Sequence, residues 1–138
     1  YYSPYSNGYY GNRYNNYNPV RYLYNNIVIL SMDSTGKIEW SSVVAKEQFD
    51  DDNDNYLSYA EMLTGGQVHF LFNNMERRKQ ILSDQSITST GDVDRNPPLH
   101  NLDRGYEFMP RFAKQVSANQ MIVPCTYRNF ICFAKIEY

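Results

Sequence analysis

The stretch NNIVILSMDSTGKIEWSSVV, residues 25–44, decides the fold of this chain. Within it, residues 27–32 form an apolar run interrupted only by Ser31, with three β-branched residues, and in the following run Ile38, Trp40 and Ser42 alternate with Lys37, Glu39 and Ser41 as in a half-buried strand. Between these runs, Asp33 can accept hydrogen bonds from the backbone of a tight turn, and Gly36 can adopt a positive φ. The stretch predicts a β-hairpin. Because its layout recurs twice downstream, we expect repeated antiparallel hairpins.

The second hairpin is predicted around Gly65 and Gly66, which suit a two-residue type I′ turn between residues 56–63 and 67–73. This turn pairs Thr64 with Gln67, Leu63 with Val68, Glu61 with Phe70 and Tyr59 with Phe72. Further strands are expected at residues 80–88, 93–95 and 108–116, separated by a polar turn at 73–79, a turn at 89–92 and a proline-containing loop at 96–105.

The third hairpin lies at the C-terminal end, with Arg128 and Asn129 as its turn. Its register is selected by burial, because a slip of one residue would combine its wholly apolar face with its second face, which is mixed. The apolar pairs are Tyr127 with Phe130, Cys125 with Cys132, Val123 with Ala134 and Met121 with Ile136. In total the sequence predicts an all-β, antiparallel fold of about eight strands without a long helix.

Length and charge narrow the possible functions. At 138 residues and 16.2 kDa, the chain is long enough for one domain. A net charge of −2 lacks the basic excess of nucleic-acid-binding proteins, so we expect no nucleic-acid partner. No apolar run reaches the roughly 18 residues that cross a membrane, so no transmembrane segment is predicted. The first residue is Tyr rather than Met, which favours either removal of a leader on export or a piece of a longer chain.

Residues 1–24 differ in composition from the rest. They hold nine Tyr, with Asn, Gly, Ser and Pro filling most other positions, and they show no sustained period of a helix or strand. We therefore divide the chain into a low-complexity arm, residues 1–24, and a β-hairpin repeat domain, residues 25–138. The arm is interpreted as a linker or, alternatively, as an aromatic platform for a partner.

The acidic segment DDDNDNYLSYAE, residues 50–61, is the most specific local motif. It resembles the twelve-residue calcium loop of an EF-hand, in which alternating oxygen ligands surround the cation and a terminal carboxylate closes the site. The matching ligands are Asp50, Asp52, Asp54, the Tyr56 carbonyl, Ser58 and Glu61. Asn55 replaces the usual Gly, and the turn at Gly65 leaves no room for an exiting helix. A solvated acidic loop is therefore the preferred interpretation, and a calcium site is the alternative.

Other reactive residues give weaker signals. Cys125 and Cys132 face each other in the predicted register, and we interpret them as two core thiols, with a cross-strand disulfide as the alternative. His69 lies on an apolar strand with no assignable carboxylate or nucleophile nearby, so we expect a structural role. His100 lies in the proline loop. No catalytic constellation is evident, and we predict that the chain is not an enzyme.

The stretch IVILSMDSTGKIEWSSVV resembles the edge of a β-propeller blade of the type apolar strand, Asp-x-x-Gly-Lys-Ile-x-Trp. LSYAEMLTGGQVHFLFNN and QVSANQMIVPCTYRNFICFAKIEY are similar to the last blades of propeller-like proteins from the cell envelope of Bacteroidota. The likeness covers roughly residues 26–138 and implies an exported, non-enzymatic scaffold or interaction module, located in the periplasm, at the outer membrane or outside the cell.

About eight strands would make only two four-stranded blades, whereas a closed propeller needs at least about four blades. The resemblance therefore implies that the hairpins complete their sheets against a protein partner or the remainder of a larger chain. An eight-stranded sandwich or barrel is the alternative fold. We expect a non-catalytic structural or protein-interaction module without a cofactor, and the alternative function is a calcium-binding module.

Overall fold

The computed structural model describes residues 20–76, 79–99 and 105–138. Within these ranges the chain is all-β and antiparallel, with short turns and no α-helix. The strands are β1 (Tyr22–Leu23), β2 (Ile27–Met32), β3 (Ile38–Val44), β4 (Phe49–Asp50), β5 (Ala60–Thr64), β6 (Gln67–Glu76), β7 (Lys79–Ile87), β8 (Val93–Arg95), β9 (Tyr106–Phe108), β10 (Lys114–Ser117), β11 (Gln120–Tyr127) and β12 (Phe130–Glu137). A 3₁₀ turn at Pro110–Phe112 separates β9 from β10.

The strands form three main layers. β2 and β3 pair with each other as a hairpin. β5, β6, β7 and β8 form a four-stranded meander in chain order, here called the central sheet. In the third layer, β11 pairs with β12 along one edge and with β9 and β10 along the other. β1 and β4 form a small separate ladder, and none of the described sheets closes on itself.

The central sheet is apolar on both faces. Phe70, Phe72 and Ile87 point to one side and pack against Ile27 and Val44 of the β2–β3 hairpin. Since side chains alternate across a strand, the intervening residues point to the other side. These form a second core with the third layer: Ala60, Met62, Leu71, Leu82, Ala113, Met121 and Val123. Both faces of the central sheet are therefore covered.

Contacts at the turn between β7 and β8 fix the β2–β3 hairpin in place. The indole Nε1 of Trp40 donates a hydrogen bond to the Ser89 carbonyl at 3.1 Å, and Ser42 Oγ donates to the Gly91 carbonyl at 2.6 Å. Gly91 has a φ of +89°, and a Cβ at this position would lie 2.8 Å from the Trp40 ring. The turn therefore needs glycine both for its conformation and for its contact with Trp40.

The three predicted hairpins are confirmed. In the first turn, Asp33 Oδ1 accepts hydrogen bonds from the Thr35 and Lys37 backbone amides, and Gly36 has a φ of +84°. The second hairpin has the predicted register from Thr64–Gln67 to Glu61–Phe70, and both turn glycines have positive φ. The third has every predicted pair, with positive φ at both turn residues. The all-β class is likewise confirmed.

Other predicted boundaries were wrong. The segment 73–79 was expected to be a polar turn, but its residues 73–76 are strand, because β6 continues to Glu76, which pairs with Lys79 at the start of β7. The expected strand at 108–116 is interrupted at Pro110, which has no amide hydrogen for a ladder. The strand expected at 56–63 begins only at Ala60, after Ser58 with a φ of +73°. The short strands β1 and β4 were missed, so the described chain has more strands than the eight expected.

No helix in residues 20–76, 79–99 and 105–138 is long and apolar enough to cross a membrane.

We predict that Gly91→Ala destabilises the protein by about 3 kcal/mol, from a strained positive φ together with a clash against the Trp40 ring. Gly36→Ala is the matched control, because Gly36 has nearly the same φ but no neighbouring atom within 4 Å of a Cβ. The control should lose only about 1 kcal/mol. Urea unfolding of both variants measures the difference, and equal losses would show that the Trp40 contact is unimportant.

Candidate interaction surfaces

The acidic segment 50–61 is folded by its own side chains. Asp50 ends β4, and its Oδ1 accepts hydrogen bonds from the backbone amides of Asp52 and Asn53 at 2.7 and 3.1 Å. Asp54 forms an ion pair with Arg111 and accepts a hydrogen bond from the Tyr24 hydroxyl at 2.7 Å. These two donors, the Tyr24 hydroxyl first, lower the pKa of Asp54. The carboxylate of Asp54 thus ties β1 and the 3₁₀ turn to the acidic segment.

The remaining residues of the predicted calcium loop have separate partners. The Tyr56 carbonyl accepts a hydrogen bond from Asn73 Nδ2 at 2.9 Å, and the Ser58 amide donates to Gln48 Oε1 at 2.8 Å. Glu61 lies exposed on β5 opposite Phe70. Within the described ranges, no three His, Cys, Asp or Glu side chains are grouped as ligands for a metal ion. Calcium binding by residues 50–61 stays a prediction of the sequence.

Buried polar residues attach the segment between β3 and β5 to the central sheet. Lys46 Nζ donates to the Tyr24 carbonyl at 2.6 Å and to Gln48 Oε1 at 2.8 Å. Gln48 in turn donates to the Asn73 carbonyl at 2.7 Å. Lys46, Gln48 and Asn73 are all buried. Burial lowers the pKa of Lys46 to about 8. The network holds β4 and the end of the arm against the stack.

A second buried polar cluster lies between the central sheet and the third layer. His69 Nδ1 donates to Asp84 Oδ2 at 3.0 Å, and Asn96 Nδ2 donates to the same oxygen at 2.8 Å. The Tyr138 ring lies 4.5 Å from the imidazole, and burial, together with Asp84, raises the pKa of its hydroxyl. The expectation that His69 has no carboxylate nearby was therefore wrong, because the β6–β7 register brings Asp84 diagonally across from it.

The His69–Asp84 pair contains two members of a hydrolase triad, so its surroundings decide what it can do. Ser86 lies directly across from His69, yet no hydrogen bond joins their side chains. The imidazole is only 10% exposed, and the carboxylate only 5%. As it stands, the imidazole has an orienting carboxylate but no hydrogen-bonded nucleophile among the described residues. His69 is thus one half of a buried, hydrogen-bonded pair with Asp84, and its structural role stays a prediction.

The outward side of the β2–β3 hairpin is unusually apolar. Val28 pairs with Val43, and Met32 pairs with Ile38 on this side. Together with Leu30 they form the outer hairpin face, whose side chains are 48–63% exposed: Val28, Leu30, Met32, Ile38 and Val43. A strand that faces water on one side normally places polar residues there. The continuous apolar run of residues 27–30 already signals two apolar faces.

The outward side of the third layer is also partly apolar. Ile131 and Phe133 of β12 are 73% and 70% exposed. Each lies across from a half-buried residue of β11, Thr126 for Ile131 and Pro124 for Phe133. Ile122, Pro124, Ile131 and Phe133 are here called the outer sheet face. The two ends of the three-layer stack therefore both expose apolar β-sheet surface.

A cleft of about 630 Å³ opens beside β4 and the end of β6. Its walls combine apolar side chains with carboxylates: Phe49, Tyr56, Met75, Glu47, Asp50 and Glu107. The cleft is therefore acidic, and it borders the third layer, because Tyr56 and Glu107 both bond to the hydroxyl of Thr126 on β11. His100, residues 1–19 of the predicted arm and residues 77–78 of the predicted polar turn lie outside the described ranges.

We predict that Asp84→Ala destabilises the protein by about 3 kcal/mol, because His69 and Asn96 would lose a buried, charged acceptor. Asp94→Ala serves as the control. Asp94 lies on the neighbouring strand β8 but is exposed, so its loss should change stability by no more than about 0.5 kcal/mol. Urea unfolding at neutral pH measures both values. A loss below about 1 kcal/mol for Asp84→Ala would contradict a structural role for the cluster.

The chain matches no protein-family model, no curated protein and no solved structure. The likeness to propeller-like envelope proteins therefore rests on the sequence motifs alone. The fold class is independent of that likeness, because the paired strands show an all-β, antiparallel protein.

Proposed function

We propose that the chain is a non-catalytic structural or protein-interaction module of an exported envelope protein, whose two outer β-faces stack on further β-sheets. The observation that carries this proposal is the outer hairpin face, with five apolar side chains about half exposed or more. Contiguous apolar patches are rare on the surface of soluble proteins unless they contact a partner. A second such surface, the outer sheet face, lies at the other end of the stack.

The internal packing of the chain supports this kind of partner. Two sheet-on-sheet interfaces already lie inside the described structure, one on each side of the central sheet. The residue types on the outer faces, β-branched residues, Leu, Met and Phe, are the types that fill those two interfaces. A further β-sheet would cover the outer faces in the same way. Full burial of an exposed large apolar side chain contributes about 1.5–3 kcal/mol, so covering a side chain that is already half buried would contribute roughly half of that.

The blade interpretation fits the same picture. The central sheet is a four-stranded antiparallel meander, and β-propeller blades are also built as four-stranded sheets. In a propeller each blade stacks on its neighbours through both faces. The further sheets would then come from the remainder of a larger chain or from a protein partner. The assignment to an exported envelope protein rests on the resemblance of residues 26–138.

The first test of this proposal is self-association of the purified chain, measured by sedimentation velocity. We predict concentration-dependent association, since the outer faces of two copies can cover each other. Leu30→Glu and Phe133→Glu should each raise the dissociation constant about tenfold or more, because a buried carboxylate replaces a large apolar group.

Leu63→Glu is the matched control, because Leu63 is 65% exposed but lies on the central sheet, outside both outer faces. This variant should associate as the wild-type chain does. A wild-type chain that stays monomeric at its highest soluble concentration would contradict the proposal. Equal weakening by all three substitutions would also contradict it.

The arm gives a second test. Deleting residues 1–19 should leave the thermal transition unchanged and weaken association. Deleting residues 1–24 should also destabilise the fold by about 1–3 kcal/mol, because it removes β1 and the Tyr24 carbonyl that accepts from buried Lys46. Differential scanning calorimetry compares the two truncations. If both truncated chains melt as the full chain does, β1 has no structural role. Loss of the thermal transition on deletion of residues 1–19 would show that the arm belongs to the fold.

A further inference from the structure

The two cysteines lie directly across from each other in the C-terminal hairpin. Cys125 of β11 pairs with Cys132 of β12, and their Sγ atoms are 2.7 Å apart. Both are free thiols in the structure, as the sequence favoured. The thiol of Cys132 also lies 3.3 Å from the Cys125 carbonyl, toward which it can donate. The side chains thus already point at each other.

The position of the pair within the ladder is compatible with a disulfide. A two-residue turn makes the residues flanking it a hydrogen-bonded pair, and the next pair but one, Cys125 and Cys132, is of the same type. Opposite Cα atoms in such a pair are about 5.5 Å apart, which is inside the 4.4–6.8 Å range that disulfides span. A bond would therefore require a rotation of side chains but no change of register.

We propose that Cys125 and Cys132 are a dithiol site, which a small-molecule or protein disulfide oxidises to a bond across the β11–β12 hairpin. In the first step the Cys132 thiolate attacks the oxidant disulfide. A mixed disulfide forms at Cys132, and one half of the oxidant leaves as a thiol. In the second step Cys125, as its thiolate, attacks the Cys132 sulfur and releases the other half as a thiol. The two cysteines lose two electrons and two protons, and the oxidant disulfide gains them.

The two thiols differ in access, which assigns their order. Cys125 is 1% exposed and lies between β12 and β9, across from Phe108 on its other side. Cys132 is only partly buried and lies on β12, which pairs with β11 alone among the described strands. Burial is the main cause, and the hydrogen bond with Cys132 the second, of a pKa of Cys125 that is raised to about 12. An external disulfide therefore meets Cys132 first.

The bond would form beside the outer sheet face, the second of the two surfaces in the proposed function, although it does not depend on that function. Ile131 and Phe133 flank Cys132 on β12 and belong to the outer sheet face. A link at position 132 would prevent β12, an edge strand, from separating from β11. Because the closed loop from Cys125 to Cys132 is short, only a modest increase in melting temperature is expected.

The test uses the full chain, reduced and desalted, then incubated with oxidised glutathione and alkylated under denaturing conditions. Intact mass spectrometry should show a chain lighter by two hydrogen atoms that takes up no alkylating reagent. Cys125→Ser should stop at a single glutathione adduct on Cys132. Cys132→Ser should stay reduced for much longer, because its remaining thiol is buried.

Circular dichroism melting checks that both variants fold. If either variant fails to fold, differential alkylation of the folded wild-type chain reports which cysteine reacts first. A wild-type chain that stays reduced, carries two glutathione adducts or forms disulfide-linked dimers would overturn the proposal. Faster reaction at Cys125 than at Cys132 would overturn the assigned order. None of these results depends on self-association, so failure here is distinguishable from failure of the proposed function.

Discussion

The rest of the structure depends on the central sheet being apolar on both faces. A sheet with one polar face can lie at the surface, whereas this one requires a cover on each side. The β2–β3 hairpin provides one cover through Ile27 and Val44, and the third layer provides the other through Met121 and Val123. Each cover is itself a β-sheet with a second, outward side, and these outward sides are the partly apolar outer hairpin face and outer sheet face.

Polar residues set the position of the layers that apolar contacts hold together. Burial of apolar surface is not directional, so it permits sliding between two sheets. Hydrogen bonds are directional, and Trp40 and Ser42 each bond to one carbonyl of the β7–β8 turn. On the other side of the central sheet, Asp84 accepts from both His69 and Asn96. An unpaired carboxylate there would be costly, which disfavours alternative registers of β6 and β7.

Turn chemistry made the three hairpins predictable. Gly65 and Gly66 prescribe a turn type, and alternation then fixes the register. At residues 76 and 79 the prediction failed. Charged residues in the sequence suggested a turn there, although the backbones of these two residues pair in the β6–β7 ladder. β1 and β4 have two residues each, too few to show any periodicity. The sequence therefore predicts long, regular hairpins better than short ladders.

The candidate sites were predictable only where their contacts lie within one segment of the sequence. The spacing of the acidic segment matches a calcium loop, but Arg111, which pairs with Asp54, comes 57 residues later and has no signature within the segment. Likewise, Asp84 reaches His69 only through the β6–β7 register. The outer hairpin face was not predicted, because the run IVIL was interpreted only as a hairpin strand, although a continuous apolar run places apolar groups on both sides of a strand.

Stacking in three layers also distributes stability unevenly along the chain. The central sheet contributes to both cores, whereas the β2–β3 hairpin contributes to one. The hairpin can therefore detach while the other two layers keep their shared core, but the central sheet cannot open without exposing both. The central sheet and the third layer thus form one cooperative body, and the β2–β3 hairpin is a unit of lower local stability that carries the outer hairpin face.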